Sequence, residues 1–158
     1  MKKLFIIPLQ LILLSCLLIN CQAQPSPSAN LEEAKKAIAA SNGILFQAFA
    51  KGDSSLFIDR YAKDCWIMPP NAPALCGAEA PLEFFKLGYN KFGVRNGKFT
   101  TIDVFGDGVK FVTEVGFWQL FDANNKQIDN GKFLVLWKKT PGGWKMFRDS
   151  FSSDRPKQ

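Results

Sequence analysis

Histidine is absent from the 158-residue sequence. Its absence excludes a Ser-His-Asp or Cys-His nucleophile system and every zinc site that relies on an imidazole ligand. Any acid–base chemistry must therefore be carried out by Asp, Glu, Lys or Tyr side chains whose pKa values are adjusted by burial. We expect neither a metal ion nor a cofactor, because the sequence offers no set of residues to hold one.

Cysteine is also scarce, with four in the chain. Cys16 and Cys21 lie in the apolar N-terminal segment, which leaves too few thiols for a four-cysteine zinc site. Cys65 and Cys76 flank a predicted hairpin and have ten residues between them. In an oxidising compartment this pair is a candidate for a disulfide, and two reduced, buried thiols are the alternative.

The sequence lacks an uninterrupted apolar run long enough to span a membrane. Residues 4–19 are mostly apolar, but Pro8, Gln10 and Ser15 interrupt them, and polar, proline-rich sequence follows. Two lysines precede this run, an order that is typical of an export signal. We therefore interpret residues 1–23 as a signal peptide and expect the protein to be exported.

Two cleavage sites compete at the end of the signal peptide. Residues 18–21, Leu-Ile-Asn-Cys, resemble a bacterial lipobox, in which Cys21 becomes the lipidated first residue. Conventional cleavage after Ala23 would instead leave Gln24 first. The mature protein is then either lipid-anchored to a bacterial membrane or free in the periplasm. Residues 24–30, rich in Pro and Ser, are predicted to form a flexible tether.

A strong excess of one charge is missing as well. The formal net charge of +6 falls to +4 once the two lysines of the leader are removed. Basic and acidic residues are mixed along the rest of the chain, which does not favour nucleic-acid binding. We expect no nucleic-acid partner, and contact with a membrane only through the lipid anchor.

Aromatic residues, by contrast, are abundant, with 15 Phe and 4 Trp. They favour either a large aromatic core or a cavity with aromatic walls. The length of the chain suits a single domain.

Helical patterns occupy the first half of the mature chain. Apolar residues recur at helical spacing over residues 31–51, and Gly52 ends this predicted helix. Asp53 can cap a short second helix that reaches about Tyr61. A third helix is predicted over residues 78–92, with a proline in its first turn.

Strand patterns fill the second half. Residues 98–105 and 109–121 are separated by a Gly-Asp-Gly turn, and a further strand covers residues 126–139. Thr140-Pro141-Gly142-Gly143 marks a tight turn before residues 144–152. Three helices followed by a strand-rich half predict an α+β fold, with helices on one face of an antiparallel sheet.

The last predicted hairpin carries the sequence GKFLVLWKKTPGGWKMFRDSFSSD, residues 131–154. Its order of Gly-Lys-aromatic, an aliphatic run, Trp-Lys-Lys, Gly-Gly-Trp-Lys and Arg-Asp resembles the last hairpin of the SnoaL-like family (domain of unknown function 4440). That family belongs to the nuclear transport factor 2-like superfamily, which has a ketosteroid isomerase-like fold. A weaker part of the pattern is matched by Asp64, Pro69, Pro70 and Gly77.

The resemblance implies a SnoaL-like domain over residues 31–155. Its fold would be a cone-shaped, curved antiparallel sheet wrapped by three N-terminal helices. It also implies a hydrophobic pocket and a homodimer.

Which residues share a face of the predicted sheet depends on how the strand over residues 126–139 pairs with the strand over residues 109–121. A regular two-residue turn at residues 124–125 would place Glu114 opposite Val135. A β-bulge at Asn130-Gly131 would reverse this parity, since Gly accepts the positive φ of an inserted residue. We expect the bulge.

With that bulge, three ionisable groups share one face of the sheet, namely Glu114, Lys132 and Asp149. Their apolar neighbours on this face are Trp118, Leu134, Leu136, Phe147 and Phe151. The other face carries Phe111, Val115, Phe117, Phe133, Val135, Trp137 and Met146. We assign the charged face to a helix-covered cavity and the aromatic face to contact with a second subunit.

The candidate catalytic residues are Asp149 and Glu114, each as a general base, with Lys132 or Tyr89 as electrostatic partner. Burial and neighbouring charges shift carboxyl pKa values in such a cluster. A structural salt bridge among the same groups is the alternative. The residues expected to line the ligand-binding pocket are Trp66, Met68, Phe85, Tyr89, Trp118, Lys132, Phe147 and Phe151.

Three functions are consistent with this domain. The first is an exported small-molecule-binding domain whose hydrophobic pocket holds an apolar or amphipathic ligand. The second is an enzyme of isomerase or cyclase type that uses a pocket carboxylate as general base. The third is a structural domain whose pocket is filled by its own side chains. The resemblance does not choose among them, because one fold hosts many functions.

Overall fold

The computed structural model describes residues 27–155. The predicted signal peptide, the lipidation candidate Cys21 and the first part of the predicted tether lie outside the described residues. Within residues 27–155, no helix is long and apolar enough to cross a membrane. This part of the chain contains α-helices, a short π-helix and a six-stranded sheet, so the predicted α+β class is confirmed.

The first helix, α1 (Pro27–Lys51), begins earlier than predicted. The prediction of a flexible tether through residue 30 is therefore wrong for residues 27–30. Proline is accepted in the first helical turn because its missing N–H would have no helical partner there. The start of α1 also lies close to the turn between residues 106 and 111: a Cβ on Gly108 would approach the backbone nitrogen of Leu31 to 2.5 Å.

The second helix, α2 (Ser54–Ile58), is capped by Asp53 as predicted. The backbone N–H of Ser55 donates to Asp53 Oδ1 over 2.9 Å. This bond satisfies one of the N–H groups that a helix start leaves without a partner. Between the two helices, Gly52 has a φ of +66°, and it ends α1 where the sequence predicts.

The third helix, α3 (Ala80–Lys86), is shorter than the predicted helix over residues 78–92. The chain continues as a π-helical turn, Leu87–Lys91. Gly88 in this turn lies against Phe49 of α1, and a Cβ at Gly88 would meet the Phe49 ring at 2.9 Å. The absence of a side chain at Gly88 therefore allows the turn to pack closely on α1.

The sheet has six strands. They are β1 (Tyr61–Met68), β2 (Leu75–Cys76), β3 (Asn96–Gly106), β4 (Phe111–Phe121), β5 (Gln127–Thr140) and β6 (Gly143–Ser153). Their order across the sheet is β2-β1-β6-β5-β4-β3. Neighbouring strands are antiparallel except for β1 and β6, which are parallel.

The last hairpin has the predicted turn. Thr140 pairs with Gly143, and Lys139 pairs with Trp144. Gly143 has a φ of +93°, which favours glycine at the position that closes the turn.

The register between β4 and β5 differs from the prediction. Leu120 pairs with Asp129 and Phe121 pairs with Gln127, so the extra residue of the bulge is Ile128. Residues 123–125 form the turn, closed by a 3.0 Å bond from the Asp122 N–H to the Lys126 carbonyl. The turn has three residues instead of two, and the bulge adds one residue to β5. Each of these alone would move the side chains of β5 to the opposite face, and together they leave the faces unchanged. Glu114 therefore lies opposite Val135, and the predicted bulge at residues 130–131 is wrong.

A second bulge, in β6, shifts the register between β5 and β6. Trp137 pairs with Met146 and Leu136 pairs with Arg148, so Phe147 is the extra residue. As a result Asp149 lies opposite Val135 and shares a face with Glu114.

The inner face of the sheet, which α1 covers, is accordingly different from the predicted one. Its buried residues on β4, β5 and β6 include Val112, Glu114, Trp118, Phe133, Val135, Trp137, Met146 and Asp149. The outer face includes Phe111, Val115, Phe117, Lys132, Leu134, Leu136 and Phe147. The prediction was therefore wrong for Phe133, Val135, Trp137 and Met146, which lie inside, and for Lys132, Leu134, Leu136 and Phe147, which lie outside.

The core between the helices and the inner face is largely aromatic. Phe49 of α1 stacks on Phe85 of α3 with ring centroids 4.9 Å apart, and Phe57 of α2 lies 5.8 Å from the same Phe85 ring. The cluster continues through Phe84 to Phe151 of β6. Aromatic side chains thus fill much of the space that the prediction assigned to a ligand pocket.

Candidate functional site

Glu114 is the most deeply buried charged residue of the described chain, with 1% of its surface exposed. Three donors reach its carboxyl group. Asn42 Nδ2 and Thr101 Oγ1 donate to Oε1 over 2.8 and 2.6 Å, and Trp137 Nε1 donates to Oε2 over 3.0 Å. Burial raises the pKa of Glu114, and the three donors act against that rise because they stabilise the ionised form.

Asp149 is the second buried carboxyl group, and Tyr61 is its partner. The Tyr61 hydroxyl donates to Asp149 Oδ2 over 2.7 Å. The pKa of Asp149 is raised from 3.8 to about 6: burial is the main cause, the hydrogen bond from Tyr61 acts against the rise, and the charge of Glu114 adds to it. The pKa of Tyr61 is raised well above its usual value, first by burial and then by the Asp149 charge.

Val135 on β5 pairs with Glu114 on β4 to one side and with Asp149 on β6 to the other. Strands lie about 4.8 Å apart, so the backbones of Glu114 and Asp149 are about 10 Å apart. At this distance in a buried site, the two negative charges disfavour each other. The sheet therefore holds two acids with unlike surroundings on one covered face.

A cleft opens between α1 and β3, next to Glu114. Its larger part has a volume of about 440 Å³ and a smaller part of about 280 Å³ adjoins it, with Ala39 and Thr101 common to both. The walls of the larger part include the rings of Phe46 and Phe99, whose centroids lie 4.8 Å apart. The side chains of Asn42 and Thr101, which bind Glu114, also line it.

Gly97 shapes one wall of this cleft. A Cβ on Gly97 would lie 2.2 Å from the Phe46 ring, so only glycine lets Phe46 pack against β3 in this way.

Two polar atoms of α1 are buried without a hydrogen-bond partner in the described part of the chain. They are Ser41 Oγ and Asn42 Oδ1. Buried polar atoms are normally paired, so each is a place where a further polar group would be favourable.

Three residues of this site were missed by the sequence analysis, namely Asn42, Thr101 and Tyr61. Tyr61 and Asn42 bind a predicted acid from 88 and 72 residues away, whereas Thr101 binds Glu114 from the neighbouring strand β3, 13 residues away. The available signal for Asn42 was its position in the middle of a helix, where Asn is a poor helix former.

Lys132 is placed far from both acids. It pairs with Phe117 on the outer face, and its exposed ammonium group forms an ion pair with Asp154. The predicted cluster of Glu114, Lys132 and Asp149 is therefore wrong in its amine, because no bulge occurs at residue 130.

The other residues predicted to line the pocket divide into two groups. Trp66 and Phe147 lie on the outer face with the guanidinium of Arg148 between them, 4.9 and 3.6 Å from their ring centroids. Met68 pairs with Ser150 and is directed to that same face. These three do not border the inner acids.

The second group is internal. Phe85 stacks on Tyr89 with centroids 5.6 Å apart, and Trp118 meets Phe151 edge to face at 5.9 Å. The Tyr89 hydroxyl lies near Gly52, where an added Cβ would be 3.0 Å away. Tyr61, rather than Tyr89, is thus the phenol beside a buried carboxyl group.

The candidate disulfide between Cys65 and Cys76 is not formed, since both cysteines are free. Cys76 pairs with Trp66, and side chains alternate along a strand, so Cys65 is directed to the opposite face. Cys65 is buried and its thiol donates to the Gly77 carbonyl over 3.5 Å, whereas Cys76 is exposed.

Metal ligands do not cluster in residues 27–155, where no three Cys, Asp or Glu side chains come together to hold an ion.

Solved structures share this architecture. A nuclear transport factor 2-like protein of unknown function from Shewanella oneidensis aligns with a TM-score of 0.63 at 20% identity, over 75% of this chain and 98% of that one. A ketosteroid isomerase-like protein from Erwinia carotovora atroseptica aligns with a TM-score of 0.61 at 19% identity, over 80% and 98%. LinA aligns with a TM-score of 0.64 at 14% identity, over 82% and 92%.

The chain therefore has the nuclear transport factor 2-like fold, as its last hairpin predicted. No protein-family model matches the sequence, and no curated protein matches it either. The narrower resemblance to the SnoaL-like family stays a prediction.

Proposed function

We propose that the protein binds a small, mostly apolar molecule in the α1–β3 cleft and releases it unchanged. The observation that carries this proposal is the cleft itself, about 440 Å³ in volume, lined by aromatic rings and by several polar side chains. Ligand sites are commonly concave, largely apolar and of this size, with a few fixed polar groups. Asn42 and Thr101 are two of the polar residues that line it, and their bonds to Glu114 hold both of them in place.

Binding without turnover is favoured over catalysis by the surroundings of the two acids. Glu114 accepts three hydrogen bonds and is 1% exposed, so a ligand in the cleft does not reach its carboxyl group. Asp149 is enclosed by the aromatic core rather than by the cleft. The groups that face the cleft can orient a molecule, but neither an amide nor a threonine hydroxyl is a base at neutral pH.

A bulky substitution that occupies the cleft tests whether the cleft is the binding site. Ala39 borders both parts of the cleft, whereas its neighbour Ala40 is equally small and exposed but does not border it. We expect Ala39→Trp to weaken binding of the neutral apolar dye Nile red by about tenfold or more, because the added ring occupies the cleft. Ala40→Trp is the matched control and should bind as the wild type does, with affinity measured by fluorescence titration.

Equal Nile red affinities for the two tryptophan variants would rule out the cleft as the binding site.

A second candidate is proton transfer by Asp149, of the isomerase type. It is supported by the Tyr61–Asp149 pair and by a carboxyl pKa of about 6, which suits a base near neutral pH. In such a step Asp149 would take a proton from a carbon next to a carbonyl, the C–H electron pair would pass to the carbonyl oxygen as an enolate, and Asp149 would return the proton to a different carbon, with the Tyr61 hydroxyl as its hydrogen-bond partner. This candidate requires Asp149 to ionise near pH 6 in the folded chain, which the pH dependence of stability measures.

Export and assembly belong to the same proposal. The lysine-led apolar segment supports export, and Cys21 in its lipobox-like setting supports a lipid anchor, which the intact mass of protein recovered from bacterial membranes would reveal. A homodimer is supported by apolar residues that the outer face of the sheet leaves exposed, among them Phe117 and Leu134.

A further inference from the structure

β3 (Asn96–Gly106) forms a free edge of the sheet. It pairs with β4 on one side, and no strand of residues 27–155 lies on its other side. The opposite edge of the sheet is β2, which is two residues long. An unpaired edge presents a row of backbone N–H and C=O groups to which another extended chain can bond. β3 is therefore the place where this sheet can accept a further strand.

The bonds of the neighbouring strands fix which groups of β3 face this edge. The Lys139 N–H donates to the Lys110 carbonyl over 3.0 Å, and the bonds of an antiparallel strand alternate in direction from residue to residue. Even-numbered residues of β4 therefore bond to β5, and its odd-numbered residues bond to β3. Their partners in β3 are the even-numbered residues up to Thr100. Gly97 and Phe99, which lie between those partners, direct their N–H and C=O groups to the free edge.

The hydrogen bonding of Gly97 supports this assignment. Its N–H donates to the side-chain oxygen of Asn96 over 2.8 Å, so that oxygen lies where the carbonyl of an added strand would lie. Within residues 27–155, no other side chain and no backbone group outside the sheet bonds to these groups of Gly97 and Phe99. Both residues are partly exposed, so a bound chain can reach their backbone. The Gly97 carbonyl and both backbone groups of Phe99 are thus open to a ligand.

The α1–β3 cleft lies along this edge. Gly97, Phe99 and Thr101 line one side of its larger part. Residues of α1, among them Ala39 and Gly43, line the other side. A Cβ on Gly43 would meet no atom within 4 Å, so α1 leaves open space there. A groove beside a free strand edge suits an extended peptide, with main-chain bonds for affinity and side-chain pockets for specificity.

A bulge limits the length of strand that can be added. The register with β4 shifts between Thr101 and Asp103, so Ile102 is an extra residue in β3. The extra residue disrupts the regular spacing of the edge groups. Regular pairing is therefore confined to residues 97–101, about 16 Å of strand, which suits a peptide of about five residues.

The cleft also selects the side chains of such a peptide. The rings of Phe46 and Phe99, with centroids 4.8 Å apart, give its inner side an apolar surface. Lys98 is the only charged residue that lines the larger part of the cleft, and it forms no ion pair within residues 27–155. It pairs with Gln119 and belongs to the outer face of β3. Because side chains alternate along an added strand, apolar residues suit its inner face and an acidic residue suits its outer face, next to Lys98.

We infer that the cleft binds a short extended peptide, with apolar side chains at alternate positions, which adds to β3 as a seventh strand. This inference rests on the proposed binding function and names the chemical class of the ligand. Amide groups of the peptide bond to Gly97 and Phe99, and its apolar side chains contact the rings of Phe46 and Phe99. An acidic side chain between the apolar ones pairs with Lys98.

The test uses the peptide acetyl-Val-Glu-Val-Ser-Val-amide as a competitor of Nile red for the full mature chain at pH 7. Two further peptides have the same sequence and carry two N-methyl groups each, on the second and fourth residues or on the third and fifth. Only alternate N–H groups of an added strand face β3. We therefore expect the unmethylated peptide to displace the dye. The two methylated peptides should differ by about tenfold in the concentration required, because one of them loses its bonds to the edge.

Calorimetric titration with the unmethylated peptide tests its location. Ala39→Trp should weaken peptide binding by about tenfold, because the added ring occupies the cleft, and Ala40→Trp should bind the peptide as the wild type does.

Equal concentrations for the two methylated peptides would overturn the inference, because side chains alone would then hold the ligand. Failure of the unmethylated peptide to displace the dye would overturn it as well, as would equal peptide affinities of the two tryptophan variants. These results differ from failure of the binding proposal, in which Ala39→Trp and Ala40→Trp bind Nile red equally.

Discussion

Glu114 and Asp149 show how differently one sheet face can treat two carboxyl groups. Glu114 accepts bonds from three side chains on three different elements. Asp149 accepts its side-chain bond from Tyr61, and the positive groups of the described chain form their ion pairs elsewhere. Burial is therefore less compensated at Asp149, and its pKa of about 6 follows from that.

The pH dependence of stability should report this pKa. Because burial raises the pKa of Asp149 from 3.8 to about 6, the fold favours the neutral acid, and its contribution is fully present below pH 4 and lost as pH rises through 6. Asp149→Asn keeps a neutral group that accepts from Tyr61. Relative to this variant, the wild type should lose about 3 kcal/mol of unfolding free energy between pH 4 and 7.5, measured by urea denaturation.

Asp103→Asn, which changes an exposed carboxyl group, is the control for the substitution. A difference between wild type and Asp149→Asn that does not vary with pH would show that Asp149 ionises normally, and the proton-transfer candidate would then be lost.

At the residue level the sequence was sufficient to select both acids but not their partners. Asp149 and Glu114 stood out as charges among apolar strand residues. Tyr61 and Asn42 contact them from 88 and 72 positions away along the chain. Such contacts depend on how helices and sheet pack, which no local pattern specifies.

The predicted strands placed Glu114 and Asp149 on the same face of the sheet, which is correct, but through a bulge at residues 130–131 that does not exist. The last turn was predicted from Pro and Gly and is correct, as the pairing of Lys139 with Trp144 shows. Two bulges, at Ile128 and Phe147, were not predicted, because neither position carries the glycine that marks many bulges. Each bulge changes the parity of everything beyond it.

Gly131 has a different role from the one predicted. It has no positive φ, but a Cβ there would lie 1.8 Å from the Ser152 carbonyl oxygen and 2.9 Å from the Trp118 ring. The glycine is needed because β5, β6 and Trp118 approach each other closely at this point.

We expect Gly131→Ala to lower the free energy of unfolding by about 3 kcal/mol or more, because backbone and ring must move apart to admit the methyl group. The matched control is Gly142→Ala, where the nearest atom is 3.7 Å away and the methyl group meets no obstacle. Chemical denaturation of both variants compares them. Similar stabilities would mean that the strands separate at Gly131 without cost.

The molecule as a whole has one covered and one open sheet face. α1, α2 and α3 cover the inner face, whereas Trp66, Phe117 and Leu134 on the outer face are each about half exposed, at 45%, 47% and 50%. Exposed apolar groups of this size on one face favour association. The composition predicted an apolar second face, and the bulges decided which residues occupy it.

The proposed homodimer leads to a direct test. Phe117→Lys places a charge in the middle of the outer face and should convert a dimer to a monomer, seen as a halved mass in light scattering after gel filtration. Val109→Lys changes a residue that is 60% exposed in the β3–β4 turn, away from that face, and should leave the mass unchanged. A monomeric wild type would refute the proposal.

The strand order has a consequence for how the protein is made. The last strand in the sequence, β6, lies in the interior of the sheet between β1 and β5. Until it is synthesised, the early β1–β2 ribbon and the β3–β4–β5 meander have no hydrogen-bonded connection, and closing them requires contacts between distant parts of the chain. A nascent polypeptide of this topology cannot complete its sheet until β6 has emerged from the ribosome.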